Sequence, residues 1–175
     1  VVKMSAPAFF TENQRGTNPH DRLTPIESAE IIVNHVHEGL RMAEREGLPE
    51  VICDFIRTHH GEGMAKYFYI TEQNAHPDVE VDKTQFTYPG PNPFTREQAI
   101  LMMADGVEAA SRSLKEYSEE SITALVNRLI DGMVADWYFR ECPITFRDIA
   151  TSKCVLIDKL KSMYHTRITY PELNK

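Results

Sequence analysis

Three histidines and one aspartate are the residues whose types and placement could do chemistry at neutral pH: His35, the adjacent pair His59-His60, and Asp105. Imidazole is the commonest metal-binding side chain near neutrality. Neighbouring residues in mid-helix point about 100° apart and rarely share a ligand. The His pair, however, falls just before Gly61, at a helix end where that restriction relaxes. A single His at a helix C-terminus also serves as a partner for the helix dipole. His35 lies among apolar positions, where a satisfied core histidine is the alternative to a ligand. His37 falls on a different helix face and reads as solvent-facing.

Asp105 sits within Ile100-Leu101-Met102-Met103-Ala104-Asp105-Gly106-Val107, among residues that belong in a core. A carboxylate there is costly unless it is paired or metal-bound. An Asp on the polar side of the helix, or opposite an Arg, meets that need without a ligand. Gly106 weakens a helix by about 1 kcal/mol relative to Ala, which predicts close approach by another element or a ligand. Arg112, two helical turns after Asp105, can meet a phosphate near a metal held there or close a surface ion pair. His20-Asp21 has the look of a dyad, but its place in a loop before a helix cap reads as turn formation. Glu-x-x-His, His-Glu-x-x-His and Gly-rich phosphate loops are absent from the sequence.

The elements that must position these groups are helical. Thr24-Pro25-Ile26-Glu27 is a capping box with proline at the first helical position, predicting a helix from Pro25 to Glu46 that stops at Gly47. Pro49 opens a second helix with an apolar stripe of Val51, Ile52, Phe55 and Ile56, ended by Gly61 with the His pair in its last turn. A short helix is expected over Met64–Tyr69. Residues 74–94 hold four prolines and a glycine and read as a mobile surface loop bordering the pocket. Thr95, Ser118 and Thr145 cap three further helices, the first reaching about Leu114. Ile122, Leu125, Val126, Leu129, Ile130 and Met133 mark the apolar side of the second, and Ile149, Val155, Leu156, Leu160 and Met163 that of the third. No strand pattern competes, so the class is all-α.

The 175 residues suffice for one domain with a sizeable core. Lys and Arg number 19 against 26 Asp and Glu, net charge −7, which argues against a general binder of nucleic-acid polymers. Any bound phosphate must therefore find its positive charge locally. Three scattered cysteines form no C-x-x-C pair, so neither a disulfide framework nor a zinc ribbon is indicated, and a reducing compartment fits. No run of about 18 apolar residues occurs.

Set in order, His35, Thr58-His59-His60-Gly61 and the stretch from Ala104-Asp105-Gly106 through Arg112-Ser113-Leu114 resemble the latter part of an HD-domain phosphohydrolase. More narrowly, Phe9-Phe10-Thr11-Glu12-Asn13-Gln14, Asn18-Pro19-His20-Asp21-Arg22-Leu23, Tyr88-Pro89-Gly90-Pro91 and Arg167-Ile168-Thr169-Tyr170-Pro171-Glu172 are similar to the cytosolic HD domain of bacterial seven-transmembrane HD receptors. Members of that family include phosphodiesterases that hydrolyse cyclic di-AMP at a dinuclear metal site. Their ligands run as a His, a His-Asp dyad, a His, a His-His pair and a final Asp. The resemblance assigns the last four to His35, His59, His60 and Asp105. Val1-Val2-Lys3-Met4 takes the slot that follows the dyad, and His20-Asp21 belongs to the separate Asn-Pro-His-Asp motif.

The resemblance therefore implies an all-α HD-domain helical bundle over residues 1–175, a single domain whose first helices, first His and dyad lie upstream of Val1. It implies a metal-dependent phosphodiesterase acting on a cyclic dinucleotide, cyclic di-AMP foremost. In the complete domain two divalent transition metals (Fe, Mn or Zn) would serve, with Lys3 and Arg112 steadying the phosphate. The expected partners are the cyclic dinucleotide, an upstream transmembrane region and further copies of the chain, at the cytoplasmic face of a membrane. Two rivals stand beside this reading: a non-catalytic nucleotide-sensing or interaction domain of a membrane receptor, and an HD-type nucleotide phosphomonoesterase. The missing dyad favours the first rival and the four retained ligand positions oppose it. The Tyr-Pro-Gly-Pro loop favours the narrower family over the second.

Overall fold

In the computed structural model the described residues are Phe9 and residues 18–165. Lys3, the remainder of the Phe9–Gln14 motif and the Arg167–Glu172 motif lie outside them. The described residues form six α-helices and two short 3₁₀ turns, with one isolated bridge between Met64 and Thr87 as the only extended pairing among them. Two compact units result: one runs to Met102 and takes in Tyr138–Pro143, and the other comprises Met103–Trp137 and the chain from Ile144. Among the described residues no helix is long and apolar enough to cross a membrane.

In the first unit, α1 spans Pro25–Arg45. Its capping box is complete: the Thr24 hydroxyl accepts from the Glu27 amide at 3.2 Å, and the Glu27 carboxylate accepts from the Thr24 amide at 2.8 Å. The Thr24 backbone amide, and then its hydroxyl, hold the Glu27 carboxyl below its ordinary value. The buried residues Ser28, Ala29, His35, Val36 and Ala43 form one stripe, and the small Ser28, Ala29 and Ala43 let neighbours come close. Against α1 pack α2 (Glu50–Thr58), α3 (Lys66–Ala75) and the 3₁₀ turn Lys83–Phe86.

Two expectations change here. Val51 and Ile52 are exposed, Phe55 and Ile56 of the same stripe are half-buried, and the fully buried residues of α2 are Cys53 and Thr58, so only the later half of the apolar stripe legible in the sequence turns inward. Helix α3 begins and ends later than expected; none of its residues is buried, which leaves no apolar period to read. The segment after α3 lies at the surface as expected, with residues 76–80 and 82–85 exposed. It nevertheless has internal order. The Asp82 carboxylate accepts from the Thr84 amide at 2.9 Å and starts the 3₁₀ turn, which drops Phe86 into the core at 0% exposure.

Helix α4 (Arg96–Ser111) opens with the expected box: the Thr95 hydroxyl accepts from the Gln98 amide and the Gln98 side chain accepts from the Thr95 amide. Its later part belongs to the second unit, with α5 (Glu119–Ala135) and α6 (Phe146–His165). Ser118 caps α5, and Thr145 with Asp148 caps α6. Ile122, Leu125, Val126 and Ile130 are buried on α5 and Ile149 and Leu160 on α6, whereas Val155 and Met163 are exposed. The close approach expected at Gly106 is that of Met133 on α5: a Cβ at Gly106 would lie 2.7 Å from the Met133 methyl.

Trp137 ends α5 in the left-handed region at φ 63°, with its side chain 71% exposed. That backbone position ordinarily takes glycine, because a Cβ there costs about 1–2 kcal/mol. Trp137→Gly is therefore expected to raise stability by about 1 kcal/mol, measured as a higher denaturant midpoint at unchanged slope.

Candidate metal centre

Helix α1 carries His35 on its buried stripe, 8% exposed. Helix α2 ends at Thr58, whose hydroxyl donates to the Asp54 carbonyl at 2.7 Å. His59 is the cap residue and His60 stands just beyond it. Leaving the helix removes the 100° separation of neighbours: the His59 and His60 ring centroids are 4.1 Å apart, and both rings pack edge-on against His35 at 5.1 and 5.0 Å.

The tautomers decide what this cluster can do. His35 Nδ1 meets the Ile32 carbonyl and His59 Nδ1 meets the Ile56 carbonyl at 2.7 Å. A carbonyl oxygen only accepts, so both Nδ1 atoms carry a proton. In the neutral rings both Nε2 atoms then present lone pairs, and these face each other at 3.0 Å. Two lone pairs at that distance repel unless a cation, either a shared proton or a metal ion, lies between them. Two metal–nitrogen bonds of about 2.0–2.1 Å span such a gap. His35, His59 and His60 each offer a nitrogen within 4.8 Å of the others, the one such grouping of His, Cys, Asp or Glu among the described residues. Backbone carbonyls behind the ligating rings are the usual support of metal-bound histidine. The residues present thus fit a divalent metal.

Tyr88 enters the cluster from the loop, stacked on His60 at 4.2 Å and 24° and edge-on to His35 at 6.1 Å. The sequence reading placed this loop beside the pocket, but neither this ring nor Asn92 was singled out as a site residue. Asp105 lies on α4 in the second unit, half-buried, beside Gly106. Arg112 follows the end of α4 and pairs with Glu108 one turn back, the surface pair given as its alternative. His37 is exposed and lies, with Glu30, Asn34, Thr84, Gln85 and Thr87, along an open groove of about 500 Å³. His20 sits in the 3₁₀ turn Pro19–Arg22, a turn position as expected, and its side chain reaches further, with Nε2 bonded to the Phe9 carbonyl at 2.9 Å.

The HD domain family pattern matches residues 10–110, a span holding His35, His59, His60 and Asp105. The chain belongs to the HD domain family. This HD domain is 40% identical over 173 residues to the cyclic-di-AMP phosphodiesterase PgpH of Listeria monocytogenes serotype 1/2a (strain 10403S), covering 98% of the chain and 24% of that protein. It is 37% identical over 174 residues to the cyclic-di-AMP phosphodiesterase PgpH of Bacillus subtilis (strain 168), covering 99% of the chain and 24% of that protein. The chain thus spans about a quarter of the length of the curated relatives it matches. Among solved structures, the crystal structure of the L. monocytogenes phosphodiesterase PgpH HD domain superposes with a TM-score of 0.86 at 38% identity, over 94% of this chain and 76% of that one. The same domain in complex with cyclic di-AMP gives 0.87 at 38% identity, over 93% and 76%. The all-helical HD fold and the resemblance to the cyclic-di-AMP phosphodiesterases are therefore both borne out.

Proposed function

We propose that this HD domain is the catalytic part of a metal-dependent phosphodiesterase that opens cyclic di-AMP, at the cytoplasmic face of a membrane-anchored parent. The observation that carries the reading is the facing Nε2 pair of His35 and His59, both tautomers set by helix carbonyls, in a chain so similar to the PgpH enzymes. When bound, divalent metal supplies Lewis-acid polarisation of the phosphate and a hydroxide nucleophile at neutral pH. The chain's own residues do the rest. His35, His59 and His60 donate nitrogens, while the Ile32 and Ile56 carbonyls hold the Nδ1 protons and so keep the Nε2 lone pairs aimed inward. A metal held there would supply local positive charge against a net charge of −7 that would otherwise repel a dianionic substrate.

Asp105, Lys3 and Arg112 enter the reading from their motifs: Asp105 as a carboxylate ligand, Lys3 and Arg112 as cations that steady the phosphate. Two metals, the chain acting as one HD-type domain, and turnover only when the upstream residues of the parent are present complete the proposal. The test compares this chain with a version extended upstream, each loaded with manganese, on cyclic di-AMP and on AMP. Chelator-sensitive opening of cyclic di-AMP by the longer form, lost in Asp105→Ala, is the expected result. Binding without hydrolysis by both forms would favour a sensing domain, and turnover of AMP alone a phosphomonoesterase.

A further inference from the structure

We propose that the segment Tyr88–Asn92 is a positioning strap for the metal centre, in which Asn92 fixes the turn carrying His60 and Tyr88 fixes the plane of the His60 ring. The inference rests on the metal reading of the His cluster and adds to it two residues that hold no metal themselves. His59 and His60 stand at and past the end of α2, in a turn whose internal backbone bonds run from Gly61 to Thr58 and from Gly63 to His60, both 3.0 Å. The strap supplies four more. The Tyr88 amide donates to the Gly63 carbonyl at 2.8 Å, and the Gly90 amide to the Gly61 carbonyl at 3.0 Å. The Asn92 side-chain Oδ1 accepts from the Glu62 backbone amide, and the Asn92 side-chain Nδ2 donates to the Glu62 carboxylate, both at 2.9 Å. Asn92 is 9% exposed, so these bonds are made largely out of water, where leaving a partner unpaired is expensive.

The seat is closed on its other side as well. Gly61 is left-handed at φ 54°, and a Cβ there would lie 2.4 Å from Asn92 Oδ1. The side chain of Asn92 therefore occupies the space that only a glycine leaves open. Two residues before the strap's glycine, the Tyr88 ring lies on that of His60 at 4.2 Å and 24°. Asn92 and Tyr88 thus grip the same turn, one through its backbone and one through the imidazole. Groups that orient metal-bound imidazoles in this way change metal affinity without touching the ion.

The experiment titrates the chain with cobalt(II) against a competing chelator, recording the visible spectrum of the bound ion and the thermal melt of the metal-free protein. Asn92→Ala and Tyr88→Leu are expected to weaken cobalt binding by about 10- to 100-fold and to alter the spectrum, with Tyr88→Phe within about twofold of the parent. Asn92→Asp keeps the acceptor but sets a carboxylate against Glu62, and is expected to behave like Asn92→Ala. Cobalt affinity and spectrum unchanged in both Asn92→Ala and Tyr88→Leu would overturn the strap while leaving the metal site standing. Failure of both variants to fold without metal would also overturn it, since the segment would then be core and not a positioning device. A parent chain that takes up no cobalt overturns the metal reading, and this inference with it.

Discussion

His59→Ala is expected to lower divalent-metal affinity by more than about 100-fold, roughly 2.7 kcal/mol, and, on the proposed function, to abolish cyclic di-AMP hydrolysis by the complete protein. His59 is central to the cluster: its Nε2 faces that of His35 at 3.0 Å, and its ring packs on His60. Removing a partner that merely orients a ligand costs about 10- to 100-fold in affinity, and removing the ligand costs more. The remaining rings, His35 and His60, would offer only two of the three clustered nitrogens. Chelator competition and a hydrolysis assay check the two effects separately. His37→Ala is the control: two residues from His35 but exposed on another side of α1, it should leave both unchanged. A His59→Ala protein that binds metal as tightly as its parent would place the metal elsewhere.

The largest effect on stability is expected from Phe86→Ala, a loss of about 3–5 kcal/mol. Phe86 is wholly buried, meets Tyr69 of α3 edge-on at 5.7 Å, and accepts the Ala65 amide on its carbonyl at 2.8 Å. Truncation leaves a ring-sized void where the 3₁₀ turn meets α1 and α3, and a chain of this size holds only about 5–15 kcal/mol in total. At about 2–4 °C per kcal/mol, the melting temperature should fall by roughly 6–20 °C. Metal affinity should fall with it, because Phe86 anchors the chain two residues before Tyr88. Denaturant titration with and without metal measures both, and a loss of unfolding free energy under about 1 kcal/mol would show that the turn is not held by this ring.

Caps and stops were legible residue by residue. The boxes at Thr24, Thr95 and Thr145 and the cap at Ser118 all form, because each is settled by side-chain and backbone atoms three residues apart. Helix α1 ends within one residue of the expected boundary, at a glycine with φ 65°. The inward side of α5 was equally readable, since its apolar residues recur at a single helical period. The stripe on α2 misled: apolar residues lie on more than one side of that short helix, and its packing against α1 buries Cys53 and Thr58 while Val51 and Ile52 stay exposed.

For the site, the amino-acid sequence by itself determined which atoms are available for chemistry: three imidazoles, a helical Asp, and a glycine whose left-handed turn follows the end of α2, where His59 caps the helix and His60 lies outside it. The tertiary structure alone decided that His35 and His59 face each other through Nε2 at 3.0 Å, that Phe86 is core, and that Asn92 and Tyr88 close on the turn bearing the His pair. The difference is one of range. Tautomers, caps and helix ends depend on groups three or four residues apart, whereas facing lone pairs, a buried ring and a strap depend on where separate segments meet. That meeting is set by burial summed over the whole core, which no single residue records.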